Sequence, residues 1–183
     1  MTITLNDFDY VREHVRQVPD FPKKGILFLD ITTATKDAKA FKLSLDFLYE
    51  QFKNTDIDYI AGIESRGFIY GAALAAKLGI GFVPIRKPNK LPAEKISETY
   101  DLEYGSDTIE MHKDALKQGD KVVIIDDLLA TGGTAVAACN LVRKAGAEPV
   151  AAAFIIELDP LKGREKIELK GVKVISMLHY DLD

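Results

Sequence analysis

Apolar residues at Leu5, Phe8, Val11, Val15 and Val18 recur at helical spacing, and the stripe predicts an amphipathic helix over residues 5–18. Asp20 to Asp37 carries Pro22 and Gly25 ahead of a short apolar run, Ile26 to Leu29, and reads as a loop with a short strand. Phe41, Leu45, Leu48 and Phe52 share one face of a helix from Ala38 to Lys53. Ile57–Ile63 reads as a strand, Glu64-Ser65-Arg66-Gly67 as the turn into a helix ending near Gly79, and Ile80–Ile85 as the next strand. Arg86 to Glu98 is polar, marked by prolines and without periodicity. Thr99 to Met111 resembles two strands turning at Gly105-Ser106-Asp107. A strand at Lys121–Ile125, a helix at Gly133–Gly146, and strands at Pro149–Glu157 and Val172–Leu178 complete the pattern. Strands alternating with helices predict an α/β fold with a central, mostly parallel sheet. Ligands bind such sheets beyond the carboxyl ends of the strands, so the loops ESRG, RKPNK and DDLLATGGT are expected to converge.

Within this pattern Val122–Ala135, VVIIDDLLATGGTA, carries the most chemistry. Four β-branched apolar residues predict a strand buried in a parallel sheet. They end in adjacent carboxylates, Asp126 and Asp127, followed by Thr131-Gly132-Gly133-Thr134 at the head of an alanine-rich helix. Small residues before a helix let backbone N–H groups face outward and cradle a phosphate-sized anion. The two acids would repel that anion, so they must face sugar hydroxyls or a cation. A ribose 5-phosphate satisfies both demands. A plain strand-to-helix turn, with Thr131 or Thr134 as N-cap, is the simpler reading of the same loop.

Bulk properties narrow the class. A chain of 183 residues suits one domain with a substantial core. A net charge of −4 disfavours general nucleic-acid binding, although the cluster Arg86, Lys87, Lys90 would attract an anionic small molecule. The single cysteine, Cys139, fits a reducing compartment and reads as helix core. No apolar run approaches the roughly 20 residues of a membrane span. The N-terminal segment lacks the basic and apolar regions of an export signal, so a cytoplasmic protein is expected. His14, His112 and His179 lack metal-ligand spacing.

The thirteen residues Val122–Thr134 closely resemble the phosphoribosyl-pyrophosphate (PRPP) signature of the type I phosphoribosyltransferases. The likeness extends over most of the chain and narrows to the members that act on adenine. It is carried by FPKKGILFLDIT (21–32), IAGIESRGFIYG (60–71), PIRKPNKLP (84–92), LEYGSDTIEMHKDAL (102–116) and the tail ELDPLKGREK (157–166). It implies a type I phosphoribosyltransferase fold, a parallel sheet flanked by helices with a small hood and a flexible loop. One domain would span 1–183, with a helix and purine-binding hood over about 1–35. A PRPP-binding core would occupy about 36–183, with the flexible loop near 86–111.

The resemblance also implies residue roles. Glu64, Ser65, Arg66 and Gly67 form the pyrophosphate loop, where arginine's planar fork suits phosphate oxygens. Arg86, Lys87 and Lys90 also contact pyrophosphate. Asp126 and Asp127 hold the ribose hydroxyls, and Ala130, Thr131, Gly132, Gly133 and Thr134 hold the 5′-phosphate. Phe28 is the stacking platform for adenine, with main-chain contacts at Leu27 and Leu29. Relatives that carry a basic or polar residue at Leu29 differ here, which speaks against a side-chain role. Glu103, beside Tyr104 in the covering loop, matches the acid that exchanges a proton with the purine. Magnesium is expected to enter with PRPP rather than on protein side chains, and the protein is expected to be a homodimer.

Two other readings stay open. A transferase for hypoxanthine, guanine or xanthine typically places a lysine and an aromatic residue after the phosphate loop, and AAAFIIELDPLKGREK shows no matching pair. A PRPP-sensing regulator would normally need an added DNA-binding domain, and only about 20 residues precede the purine-binding segment.

Overall fold

The computed structural model describes residues 3–101 and 105–181. Helix α1 (Leu5–Glu13) leads into strand β1 (Arg16–Pro19), which pairs antiparallel with β2 (Leu27–Asp30). The helix stripe therefore stops earlier than its apolar spacing predicts, before Val15 and Val18. Tertiary bonds take the backbone there: Thr33 Oγ1 accepts from the Arg16 N–H at 3.1 Å and donates to the His14 carbonyl at 2.5 Å. The Arg16 guanidinium also grips Asp30 across the strand pair, at 2.6 Å. Those contacts outcompete one further helical turn.

After the short helix α2 (Thr32–Lys36) comes α3 (Ala38–Phe52), capped by Asp37, whose carboxylate accepts from Ala40 N–H at 2.8 Å. Then follow β3 (Tyr59–Ile63), α4 (Gly67–Leu78) and β4 (Gly81–Ile85). The polar stretch after β4 is less irregular than its sequence predicts. From Lys95 it enters a hairpin of β5 (Lys95–Asp101) and β6 (Ser106–His112). Strand β7 (Lys121–Leu129) precedes α5 (Gly133–Lys144) and β8 (Glu148–Leu158). A 3-10 turn at Asp159–Leu161, α6 (Gly163–Glu168) and β9 (Lys173–Tyr180) complete the order.

The five-stranded sheet has the order β4-β3-β7-β8-β9, with every pair parallel. Its centre explains the continuous apolar run of β7. Val123 and Ile125 pack toward α1, α3 and α4, whereas Val122 and Ile124 pack toward α5, α6 and the hairpin. All four are fully buried, each stabilising the fold by about 1.5–3 kcal/mol. Burial on both faces removes the alternation a one-sided strand would show.

The chain winds outward from β3 to β4 and then returns to place β7 on the other side of β3. This reversal opens a crevice between the β3 and β7 loops, the position where open α/β sheets take their ligands. Strand β7 also runs four residues further than its apolar stretch predicts. Its pairing with β3 ends at Gly62–Ile125, while its pairing with β8 continues to Leu129–Glu157. Asp126 and Asp127 thus sit within a strand that has lost one neighbour.

Candidate active site

The loop Glu64–Gly67 leaves β3 and enters α4 directly over those two acids. A side chain at the buried Gly67 would come within 2.7 Å of the Ile125 carbonyl oxygen and 2.9 Å of Asp126 Oδ1, so only glycine lets α4 start this close to β7. That approach aims Arg66 back across the crevice. Its Nε donates to Asp127 Oδ2 at 2.5 Å, and its guanidinium lies 5.8 Å from the centre of the Phe28 ring. Asp127 is 4% exposed, and Asp126, which accepts from the Asp127 N–H at 2.9 Å, is half-buried.

The charges in this group shape one another. Burial first, and the neighbouring Asp127 carboxylate second, raise the Asp126 carboxyl well above the usual aspartate range. Burial alone would lower Arg66, but its contacts with Asp127, Asp126 and Asp30 outweigh that and strengthen its hold on the proton. Crowded acids facing an open cavity carry a negative potential suited to hydroxyls, a metal-laden ligand or a developing cation.

A cavity of about 300 Å³ is lined by Glu64, Ser65, Arg66, Lys87, Asp126 and Asp127. Beside it a cavity of about 90 Å³ is lined by Asp126, the backbone loop Leu128–Ala135 and Phe154. Asp126 borders both. Residues from the ESRG, RKPNK and DDLLATGGT loops therefore meet in one crevice, as the sequence pattern predicts. The smaller cavity opens at the start of α5, where a helix leaves its first N–H groups without intrahelical partners. Its N-cap is Gly132 in the left-handed region, φ 78°, and neither Thr131 nor Thr134 caps the helix.

The other expected residues lie as follows. Arg86 is turned onto Glu64 through two bonds of 3.2 Å, and the Lys87 N–H donates to the same carboxylate at 2.9 Å. The Arg86 contact is the main reason that Glu64 titrates below its ordinary value. Glu64 thereby anchors the basic loop to the β3 loop. Lys90 is exposed and its side chain does not line the cavity. Phe28 is half-buried, packed edge-on by Phe21 at 5.2 Å. The Leu29 side chain is 1% exposed and belongs to the core, and Leu27 is half-buried. Glu103 and Tyr104 lie outside the described residues.

Two side chains had no sequence signal. Tyr100 of β5 and Asp107 of β6 are cross-strand partners in the hairpin. The Thr134 hydroxyl donates to Tyr100 Oη at 3.0 Å, Tyr100 donates to Asp107 at 3.2 Å, and the Asp107 carboxylate binds the Lys87 ammonium. This chain of bonds ties the head of α5 to the basic loop. Elsewhere, His179 approaches Asp159 at 2.8 Å and lies near Glu157, a juxtaposition the wide histidine spacing does not reveal.

The phosphoribosyl transferase domain family matches residues 32–179. The adenine phosphoribosyltransferase of Escherichia coli O157:H7 is 50% identical over 180 residues, covering 98% of both chains. The crystal structure of the Thermoanaerobacter pseudethanolicus adenine phosphoribosyltransferase superposes with a TM-score of 0.90 at 50% identity, covering 94% of this chain and 99% of that one. The Saccharomyces cerevisiae enzyme, solved with an imino-altritol bisphosphate and adenine, gives 0.88 at 42% identity, covering 96% and 100%. With its crevice at the β3–β7 reversal and these full-length likenesses, the chain belongs to the adenine phosphoribosyltransferase family.

Proposed function

We propose that this protein joins adenine to PRPP, giving AMP and pyrophosphate, a purine salvage reaction. The observation that carries the reading is the crevice in which a glycine-rich loop at the head of α5, two carboxylates and two cations meet. A phosphorylated sugar with a second anionic group uses all three. Ala130 to Thr134 would hold the 5′-phosphate through backbone N–H and hydroxyl groups. Asp126 and Asp127 would hold the ribose 2′- and 3′-hydroxyls, and Arg66 with the Arg86–Lys90 loop would hold the pyrophosphate.

In the reaction the purine N9 forms a bond to C1′ as the bond from C1′ to the pyrophosphate oxygen breaks. Positive charge builds on the sugar ring, and the two carboxylates beside it favour that state. The donor set also fits magnesium, which prefers one or two carboxylates together with substrate phosphate oxygens and water. Asp126 and Asp127, on the wall of the larger cavity, would hold it by way of the donor's oxygens. Bound there, the metal would offset the charge gathered by the leaving pyrophosphate. Phe28 would stack on adenine, with main-chain groups of Leu27 and Leu29 at its edge. We assign Glu103 the N9 proton and Tyr104 a place in the covering loop, on the strength of the LEYG resemblance. A pH–rate profile of Glu103→Gln matching wild type would remove the proton assignment.

The hood over about 1–35, the PRPP core over about 36–183, the homodimer and the cytoplasmic setting are part of the same proposal. The homodimer rests on the resemblance, and sedimentation would test it. A base-specificity assay tests the reaction itself: with PRPP and magnesium, pyrophosphate release should be fastest with adenine. Preference for hypoxanthine or guanine would reassign the base. No release with any purine would revive the regulator reading.

A further inference from the structure

The tail ELDPLKGREK has no place in the chemistry above, yet its backbone touches the phosphate loop. After β8 and the 3-10 turn, Lys162 takes the left-handed conformation, φ 53°, and delivers Gly163 beneath Gly132. Both glycines are buried. A side chain on Gly132 would lie 2.6 Å from the Gly163 carbonyl oxygen. One on Gly163 would collide with the Ala130 carbonyl oxygen and lie 2.8 Å from Leu129 Cδ1 and 2.9 Å from Gly132 N. Two backbone segments far apart in sequence are thus in direct contact.

The next residue fixes that contact from behind. Arg164 forks onto Glu157 at 2.9 and 2.5 Å, and donates to the Val174 carbonyl at 2.9 Å. Glu157 is 4% exposed and pairs with Leu129 in the β7–β8 register. The fork therefore ties the start of α6 to the same strand ends from which the phosphate loop springs.

We propose that the Gly163–Arg164 corner is a positioning element for the donor's 5′-phosphate. It holds the Ala130–Gly132 backbone so that its N–H groups face the small cavity. Forcing these two segments apart misplaces those amides without touching the pyrophosphate side. The inference rests on the reading of Ala130–Thr134 as the phosphate loop.

The test separates the two halves of the donor. Ribose 5-phosphate and pyrophosphate are titrated separately, with magnesium, into wild type and Gly163→Ala, and the KM for PRPP and kcat are measured alongside. The variant should bind ribose 5-phosphate about tenfold or more weakly, the scale of one lost hydrogen bond to a charged group. The KM for PRPP should rise similarly, with kcat less affected and pyrophosphate affinity within about twofold. Equal ribose 5-phosphate affinity in both proteins overturns the positioning role, and so does a matched loss for both ligands. Wild type that binds pyrophosphate but not ribose 5-phosphate refutes the phosphate-loop reading and the corner's role with it. If Gly163→Ala does not fold, Arg164→Lys decides, because lysine cannot reproduce the bidentate fork. It should show the same split at about threefold or more, and no split overturns the proposal.

Discussion

Replacing Arg66 with alanine withdraws the cation bonded to Asp127 and leaves two adjacent carboxylates facing one another. Breaking a fully buried ion pair costs about 3–5 kcal/mol, and an exposed pair is worth under about 1. Here Asp127 is buried, but the Arg66 side chain is 38% exposed and water can partly replace it. The expected loss is therefore about 2 kcal/mol, or about 4–8 °C in Tm for a chain of this length. That leaves Arg66→Ala folded at 25 °C, given typical stabilities of about 5–15 kcal/mol. Adding Asp127→Asn removes the stranded charge, so the double variant should regain about half of the loss. Acid should act the same way. Asp126 titrates above its unfolded value, so its ionisation destabilises the fold progressively as pH rises above 3.8. Loss of Arg66 enlarges that penalty, and the gap to wild type should widen with rising pH. Thermal unfolding of the four proteins at two pH values, at low salt, measures the coupling. In parallel, each single variant should lose about 100-fold or more in kcat/KM for PRPP. An Arg66→Ala protein that melts with wild type, or strictly additive losses in the double variant, would refute the paired-charge reasoning.

Other outcomes follow from local geometry. Asp107→Asn frees Lys87 from its internal carboxylate and should tighten pyrophosphate binding by about threefold or more, read by calorimetry; weaker binding would show that the hairpin contact assists the site. Thr32, through its hydroxyl and N–H, and then Arg16, hold Asp30 at about 2, below its usual 3.8. A depressed pKa stabilises the fold above pH 3.8 and loses that effect as pH falls toward 2. Asp30→Asn should therefore cost about 2 kcal/mol at pH 7 and almost nothing near pH 2, and a pH-independent cost in urea titrations would contradict this. Burial raises the Cys139 thiol to about 11, so a disulfide reagent at pH 8 should react only as the protein unfolds. Rapid labelling of native protein would mean that α5 opens readily.

How much of this was legible in the sequence depended on range. Val122–Thr134 announced itself because a strand buried on both faces must be continuously apolar, and acids at its end break that rule visibly. The helix predicted over residues 5–18 stops at Glu13 for the opposite reason. Val15 and Val18 continue the stripe, but the partner that stops the helix, Thr33, lies well downstream. Short helices such as α2 and α6 span too few turns to show a period. The start of β5 is hidden because Glu98 takes an inward position between Ile96 and Tyr100, where it bonds Asn140 and Lys144 of α5, and a charged residue there breaks the apolar alternation. Tyr100 and Asp107 meet through hairpin register, which the composition of either strand does not specify. Gly163 lies in a tail that carries the family likeness, but its packing against Gly132 has no local signal, since it is a backbone contact made across the fold.

The place of Arg66 bears on the order in which the substrates enter. The same guanidinium that binds Asp127 lies over the ring of Phe28, the proposed seat of the base. The proposed seat of the base is therefore shared with an arginine assigned to the donor's side. A purine arriving first would have to dislodge that cation with no anion ready to receive it. A pyrophosphate arriving first offers the guanidinium a better partner and clears the ring. Donor would then precede acceptor, and adenine alone should bind feebly until PRPP or pyrophosphate is present. Equal adenine affinity with and without pyrophosphate in a fluorescence or calorimetric titration would break that link between the two half-sites.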